Sequence, residues 1–208
     1  MIALYDYELS SACYKVRLLA GFLGLPLRRL AVDVYPGRQH RSPEFLAVNP
    51  LGELPVMDDQ GLLLYEAEAI LVYLAGRYDP SDLWCESANP GVLGAITQWL
   101  AFAHRLAASA GKARLHDAMF IPADINACRT EAHALLRVMD EHLWFGEQDG
   151  RQWLCSHSHP TIADVACFPD VMLCEEGAIS RLAYPAIRRW TDRVKRIPKF
   201  HLMPGIFP

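Results

Sequence analysis

The chain has 208 residues, of which 52% are apolar, so it can form one large domain or two smaller ones. Its formal net charge of −4 gives no electrostatic reason to expect nucleic acid or an anionic membrane as a partner. The apolar runs are shorter than the roughly 20 residues that a membrane-spanning helix needs, so we expect no membrane association.

The cysteines favour a reducing compartment. There are six of them, without a CxxC pair or a paired framework, and the amino-terminal MIALYDY lacks the basic residues that begin a secretory signal peptide. We therefore expect free thiols and a cytoplasmic location.

The first 78 residues predict alternating strands and helices. Apolar residues at positions 16, 19, 20 and 23 share one face of a helix, whereas those at 30, 32 and 34 alternate as in a strand. Strands 27–34 and 2–7 flank a helix and should be parallel, and the last two strands are close enough for a hairpin. The predicted order is strand 2–7, helix 11–23, strand 27–34, helix 42–48, strands 54–58 and 62–65, and helix 66–78.

Residues 79–90, DPSDLWCESANP, have the polar and proline content of a linker. Beyond them no strand pattern is visible, and helices are predicted over 91–116, 125–144, 161–174 and 185–196. The sequence therefore predicts an α/β domain with a mixed four-stranded sheet over 1–78 and an all-helical domain over 91–208.

Two segments in these positions carry a family resemblance: NPLGELP at 49–55 and YEAEAILVYLA at 65–75. Together with the domain order, they resemble the cytosolic glutathione S-transferases, in particular bacterial serine-type members of the theta-like or nu-like kind. The resemblance covers essentially the whole chain. It implies a thioredoxin-like first domain that binds glutathione, a helical second domain that supplies most of the pocket for the electrophile, and a homodimer.

The stretch ELSSACYKVR (8–17) follows the first strand and opens a helix. A free thiol has a pKa of about 8.5, so only a few per cent is thiolate at neutral pH, yet the thiolate is the nucleophile. A hydroxyl at a helix N-terminus can stabilise that anion by a hydrogen bond and by the helix dipole. The resemblance to serine-type transferases implies Ser10 as the catalytic residue, with Ser11 as the reserve. The alternative is that either serine only caps the helix.

Tyrosine and cysteine are rivals to the serines, since other members of the family use them. We interpret Tyr5 and Tyr7 as core or cleft-wall residues, because they lie within the first strand. The cysteine of some bacterial members aligns better with Ser10 than with Cys13, which would lie about one turn into the helix. We therefore interpret Cys13 as a buried, small apolar residue.

The resemblance further implies which residues hold glutathione. It implies a cis peptide bond between Leu54 and Pro55, with the Leu54 backbone paired to the cysteinyl part of the tripeptide. Glu53 stands where relatives often carry Gln or Lys, and its charge cannot attract a carboxylate.

At the start of the predicted helix 66–78, Glu66 is expected to pair with the γ-glutamyl ammonium, while backbone N–H groups hold the α-carboxylate. The family pattern places a serine after the acid, and Ala67 lacks its hydroxyl. His40 matches a position that contacts the glycyl carboxylate in related classes, with Arg38 and Arg41 as nearby alternatives.

Residues 104–120 are predicted to line the electrophile pocket. His104, Arg105 and His116 are either pocket groups or solvated residues. Some bacterial relatives have a catalytic histidine further along this helix, and Ala108 occupies that position.

Two further motifs are structural in our interpretation. The sequence TIAD (161–164) has the form of a capping box, in which Thr161 caps a helix and Asp164 reaches back. CSHSHP (155–160) contains metal-binding residue types, but no second cluster completes a tetrahedral set, so we expect no metal.

The function that this resemblance implies is conjugation of the glutathione thiolate to small hydrophobic electrophiles, as in detoxification. An alternative is glutathione-dependent isomerisation, since SSACYKVR is similar to a motif of the maleylacetoacetate isomerase branch, whose cysteine falls at Ala12. A third interpretation is a non-catalytic binding module of the same fold, which Ala67 and Glu53 favour because they weaken the glutathione site.

Overall fold

A four-stranded sheet forms the first part of the chain, in a computed structural model that describes residues 1–206. Its strands are β1 (Ile2–Asp6), β2 (Leu27–Ala31), β3 (Val56–Asp59) and β4 (Leu62–Tyr65), in the spatial order β2-β1-β3-β4. β2 is parallel to β1, whereas β3 is antiparallel to both β1 and β4. The predicted parallel pair and hairpin are therefore confirmed.

Helices surround the sheet and make up the rest of the chain. Three of them, α1 (Ser11–Leu23), α2 (Pro43–Val48) and α3 (Ala67–Tyr78), belong to the first part. The second part contains α4 (Pro90–Leu106), α5 (Lys112–Met119), α6 (Ile125–Gln148), α7 (Ile162–Met172) and α8 (Pro185–Lys195). Within residues 1–206, no helix has the length and apolar character that a membrane span requires.

This order is the predicted α/β thioredoxin-like part followed by an all-helical part. Residues 79–89 form turns between α3 and α4, where the linker was expected. The exact domain limits of 1–78 and 91–208 stay a prediction.

The predicted helix 91–116 differs most from the structure. It continues to Met119, but a π-helical turn over Ala107–Gly111 separates α4 from α5. A π turn inserts an extra residue into the helix, and such turns are frequent at functional sites. The period of 3.6 residues used for the prediction cannot reveal one, because the apolar pattern on either side is still helical.

Other boundaries differ by a few residues, as helix and strand ends commonly do. β2 ends at Ala31 rather than at residue 34, although Val32 still donates to the Asp6 carbonyl at 2.9 Å. The predicted helix 161–174 ends at Met172, and a 3-10 turn over Cys174–Gly177 follows it.

Side chains alternate along the central strands β1 and β3, so apolar residues pack on both faces of the sheet. Ile2, Leu4 and Met57 join a large core that includes α1, α3 and the helices of the second part. On the opposite face, Phe45 of α2 packs with Val32 and Val56 in a smaller cluster. The main core therefore runs across both parts of the chain and fixes them against each other.

α7 is the central helix of the second part, and all of its residues are buried. Its N-terminus has the predicted capping box, since the Asp164 carboxylate accepts from the Thr161 N–H at 2.9 Å. The same carboxylate also accepts from the Leu154 N–H at 3.1 Å and from Trp190 Nε1 at 2.8 Å. Asp164 thereby connects α7 to α8 and to the segment before α7.

Candidate active site

A cleft of about 300 Å³ lies between the two parts of the chain. Its first wall is formed by the segment from β1 to α1, the 3-10 turn Gln39–Arg41 and residues 52–54. Its second wall is formed by one face of the π turn and α5. The residues on this second wall are Ala107, Gly111, Arg114, Leu115 and Met119, together with Ile121 just beyond α5 and Asp170 of α7. The first wall thus presents polar side chains and backbone groups to the cleft, whereas the second wall is mainly apolar.

A second cavity, of about 240 Å³, lies near the C-terminal segment and is lined by Arg17, Arg29 and His201 among others. None of the predicted site residues belongs to its walls. The cleft between the two parts is therefore the candidate active site.

Ser10 is the N-cap of α1, with extended backbone angles (φ −80°, ψ 120°). Its Oγ accepts a hydrogen bond from the Cys13 N–H at 3.1 Å, so the predicted cap is confirmed. The hydroxyl also lies within hydrogen-bonding reach of the Cys13 thiol, where it opposes the rise that burial causes in the pKa of that thiol. A hydroxyl hydrogen can rotate, so it can donate instead to an anion in the cleft. Ser11 is the first residue of α1 and also lines the cleft.

Tyr7 and Cys13 differ in access to the cleft. Tyr7 is half-buried and lines it, as predicted for a cleft-wall residue. Burial, followed by the charge of Asp33, raises the pKa of the Tyr7 phenol, so the phenol stays protonated at neutral pH. Cys13 is fully buried, and burial raises the pKa of its thiol to about 11. The cysteine is therefore a packed residue, as expected.

The residues predicted to hold the glutathione backbone follow α2. The Leu54–Pro55 peptide bond is cis, as the resemblance implied. Leu54 and the exposed Glu53 line the cleft, whereas Pro55 is buried directly before β3 and does not. The Glu53 carbonyl accepts from Asn49 Nδ2 at 2.9 Å, which fixes this loop from behind.

Glu66 and Ala67 lie at the N-terminus of α3, outside the walls of this cavity. Glu66 has a left-handed backbone (φ 70°, ψ 117°), which is unfavourable for a residue with a side chain. Such strain costs about 1–3 kcal/mol and is found mainly at functional sites. Its side chain is exposed and makes no capping bond to the helix.

His40 lines the cleft on the 3-10 turn. Its Nδ1 is buried and has no hydrogen-bond partner among residues 1–206. Burial, together with the charges of Arg41 and Arg38, lowers the pKa of His40, so the ring is neutral at neutral pH. A neutral ring still has an N–H to donate to a ligand carboxylate.

The basic residues predicted in 104–120 do not face the cleft. His104 is exposed, Arg105 pairs with Glu131, and His116 contacts Asp117 at 2.8 Å. Of the two predicted alternatives, pocket groups or solvated residues, the structure therefore supports the second for all three. The segment itself does form the second wall, through positions 107, 111, 114, 115 and 119.

Arg114 is a buried cation of the cleft wall, and sequence reasoning missed it. Its Nε donates to Glu176 Oε2 at 2.6 Å, and its Nη1 donates to the Leu9 carbonyl at 2.7 Å. The helical spacing from Ala107 and Gly111 was the available signal, since it places residue 114 on the same face.

Asp170, on α7, also lines the cleft and is 1% exposed. It lies 3.1 Å from the ammonium of Lys15, which in turn lies 3.0 Å from Glu68 of α3. Burial alone would lower the pKa of Lys15, but the charges of Asp170 and Glu68 outweigh burial and raise it. This buried network joins α1, α3 and α7 beneath the cleft. In the sequence, this network could have been recognised from Lys15 and Asp170, two charged residues that lie within apolar helical stretches.

The CSHSHP segment holds no metal site in the part of the chain that the structure describes. His159 lies 3.2 Å from Glu86, and residues 1–206 contain no group of three His, Cys, Asp or Glu side chains that could hold a metal ion.

Comparisons with known proteins agree with this architecture. Residues 4–82 match the model of the glutathione S-transferase N-terminal domain. A maleylacetoacetate isomerase of Pseudomonas aeruginosa is 30% identical over 95% of this chain and 92% of its own length. A glutathione S-transferase of Escherichia coli K12, GstB, is 27% identical over 95% of both chains. The crystal structure of a glutathione S-transferase from Pseudomonas fluorescens has 28% identity, covers 98% of both chains and gives a TM-score of 0.86. The chain belongs to the glutathione S-transferase family.

Proposed function

We propose that the protein conjugates the thiolate of glutathione to small hydrophobic electrophiles, and that the Ser10 hydroxyl stabilises that thiolate. The observation that carries the proposal is the position of Ser10. It caps α1 on the first wall of a cleft whose second wall is mainly apolar, and its hydroxyl hydrogen can rotate to donate to a thiolate.

The N-terminus of α1 supports the same role. N–H groups in the first turn of a helix lack intrahelical partners and carry the positive end of the helix dipole. Ser11 and Ala12 lie in that turn and line the cleft. A thiolate next to Ser10 would therefore meet both a hydroxyl donor and a favourable dipole.

The peptide part of glutathione would extend from Ser10 along the first wall. Leu54 offers backbone groups, and His40 offers a neutral N–H for a carboxylate. Glu66, held in a strained conformation at the start of α3, would pair with the γ-glutamyl ammonium. These assignments are part of the proposal.

Isomerisation of a maleyl substrate is the second candidate function. The 30% identity to the Pseudomonas aeruginosa isomerase favours it, and so do Arg41 and Arg114, two cations in a cleft that would receive a dicarboxylate. Glu53 and Asp170 oppose it, because their charges repel carboxylates.

Three assays separate the candidates. The purified protein is applied to immobilised glutathione and eluted with free glutathione, and it is then tested with a chloronitroaromatic and with a maleyl substrate. We expect retention and conjugation. Isomerisation without conjugation would replace the transferase assignment by the isomerase one, and failure to bind glutathione would favour a non-catalytic module.

We further propose a homodimer that acts in the cytoplasm. Several apolar residues of β4 and α3 are exposed, among them Leu63 and Val72 at 41% and 42%. All six cysteines lie within residues 1–206 and none forms a disulfide, as in proteins of reducing compartments. Sedimentation equilibrium tests the dimer, and a single species with the mass of one chain would contradict it.

A further inference from the structure

Arg114 holds a guanidinium directly beside the residue proposed to stabilise the thiolate. Its Nη1 donates to the carbonyl of Leu9 at 2.7 Å, and Leu9 is the residue that precedes Ser10. Its Nε donates to Glu176 Oε2 at 2.6 Å, so two bonds fix the plane of the group. Within residues 1–206, its Nη2 donates no hydrogen bond.

The guanidinium of Arg114 is more deeply buried than the carboxylate of Glu176, its counter-ion. Arg114 is 5% exposed, whereas the side chain of Glu176 is 33% exposed. Water screens the carboxylate more than the guanidinium, and a charge in a region of low dielectric acts over a longer distance. The cleft therefore experiences a net positive contribution from this pair.

The other titratable or charged groups that line the cleft do not supply this charge. Tyr7 is protonated and His40 is neutral, for the reasons given above. Arg41 and Glu53 are exposed, and Asp170 is a buried carboxylate whose negative charge is offset only by Lys15, which it shares with Glu68. Among the described residues that line the cleft, Arg114 is the one buried cation.

We propose that Arg114 is a positioning residue of the transferase site, which holds the Leu9–Ser10 segment and whose charge stabilises the glutathione thiolate. This inference rests on the proposed function. The thiolate would form next to Ser10, close to the guanidinium but without a direct bond to it. The α5 helix would thus contribute to thiol activation as well as to the electrophile pocket.

The test measures the pKa of the enzyme-bound glutathione thiol, by titration of the ultraviolet absorbance of the thiolate. Arg114→Gln removes the positive charge, so the thiol pKa should rise by about one unit. Below the wild-type pKa, conjugation should then fall about tenfold, and well above it the two rates should converge. Arg114→Lys retains the charge and should recover most of the shift.

Glu176→Gln distinguishes an electrostatic effect of Arg114 on the thiol from a purely structural role of the Arg114–Glu176 ion pair. It breaks the same ion pair but removes a negative charge, so the thiol pKa should fall. A purely structural ion pair predicts shifts in the same direction for both variants, whereas a charge effect predicts opposite directions. If Arg114→Gln folds poorly, Glu176→Gln still decides, because a charge effect lowers the thiol pKa whereas loss of a structural ion pair raises it.

Arg129→Gln is the matched control. Arg129 of α6 donates to the Gly177 carbonyl at 3.0 Å and pairs with Asp117, but it does not line the cleft. Its loss should leave the thiol pKa unchanged. Equal shifts in Arg114→Gln and Arg129→Gln, or no shift in Arg114→Gln, would overturn the inference while leaving the proposed function intact. A wild-type protein that binds no glutathione would overturn both.

Discussion

Cys13 shows how one residue can contribute its backbone and not its side chain to a site. Its N–H donates to Ser10 Oγ at 3.1 Å, whereas its thiol is fully buried and does not line the cleft. Burial raises the pKa of that thiol to about 11, so it remains protonated and a poor nucleophile at neutral pH.

We therefore predict that Cys13→Ala leaves the conjugation rate nearly unchanged, at a cost of about 1 kcal/mol in the free energy of unfolding. In the native protein, Cys13 should resist alkylation by iodoacetamide at neutral pH, because its thiol is fully buried and protonated and only an accessible thiolate reacts. Mass spectrometry of the alkylated peptides measures this. Rapid alkylation at neutral pH together with loss of activity would make Cys13 a reactive thiol.

At the same scale, the sequence allowed the role of Ser10 as a cap to be predicted, because a cap is a local motif of four residues. The role of Arg114 could not be predicted from the sequence, because its partners Leu9 and Glu176 lie 105 and 62 residues away along the chain. Only the tertiary fold brings these groups together, because α5 packs against the 3-10 turn Cys174–Gly177 and the Arg114 side chain reaches the segment before α1. His40 and Leu54 were predicted through the family resemblance and not from their own pattern.

At the scale of elements, α5 approaches the 3-10 turn Cys174–Gly177 closely because of one glycine. A Cβ atom on Gly177 would lie 2.7 Å from the Arg114 backbone nitrogen and 2.8 Å from the Ala113 carbonyl carbon. These are backbone atoms that cannot rotate away. The helix that carries Arg114 therefore depends on this position for its placement.

Gly177→Ala should destabilise the protein by about 1–3 kcal/mol, as overpacking usually does. Gly76→Ala in α3 is the control, since a Cβ there meets no atom of residues 1–206 within 4 Å, and it should stabilise the helix by up to about 1 kcal/mol. Chemical denaturation measures both. Equal stability of the two variants would show that α5 can shift without cost.

The π turn at Ala107–Gly111 is the element that sequence reasoning could not find. Its residues are small, and a Cβ on Gly111 would come within 3.0 Å of Asp170 Oδ1. Helices without a strong local signal end or change pitch where tertiary contacts require it. By contrast, the strands and most helices follow from local periodicity, and their order was predicted correctly.

At the scale of the whole molecule, the two parts of the chain are joined by charge as well as by the shared core. Lys15 of α1 lies 3.0 Å from Glu68 of α3 and 3.1 Å from Asp170 of α7. Arg114 adds the bond to Leu9 across the cleft. We therefore expect the two parts to unfold in one cooperative transition.

Lys15→Met should lower the free energy of unfolding by about 3–5 kcal/mol, because it leaves two carboxylates without their cation in a buried site. The raised pKa of Lys15 means that its contribution is fully present below the pKa of a free lysine, about 10.4, and is lost only as the pH rises beyond it. The deficit should therefore not change as the pH rises from neutral to that value. Lys112→Met, at an exposed site on α5, should change stability by less than about 0.5 kcal/mol. Equal effects of the two substitutions would contradict a structural role for the network.

In the proposed function, the Ser10 hydroxyl stabilises the glutathione thiolate in addition to capping α1. The most direct measurement is the pKa of the enzyme-bound thiol in Ser10→Ala, with Ser10→Thr and Ser11→Ala as controls. We predict that Ser10→Ala moves this pKa back towards about 8.5, the value of a free thiol, whereas the two controls keep it near that of the wild-type enzyme. Loss of the cap itself costs only about 1 kcal/mol of stability, which chemical denaturation measures separately. A thiol pKa in Ser10→Ala equal to that of the wild-type enzyme would contradict the account and leave Ser10 as a helix cap alone.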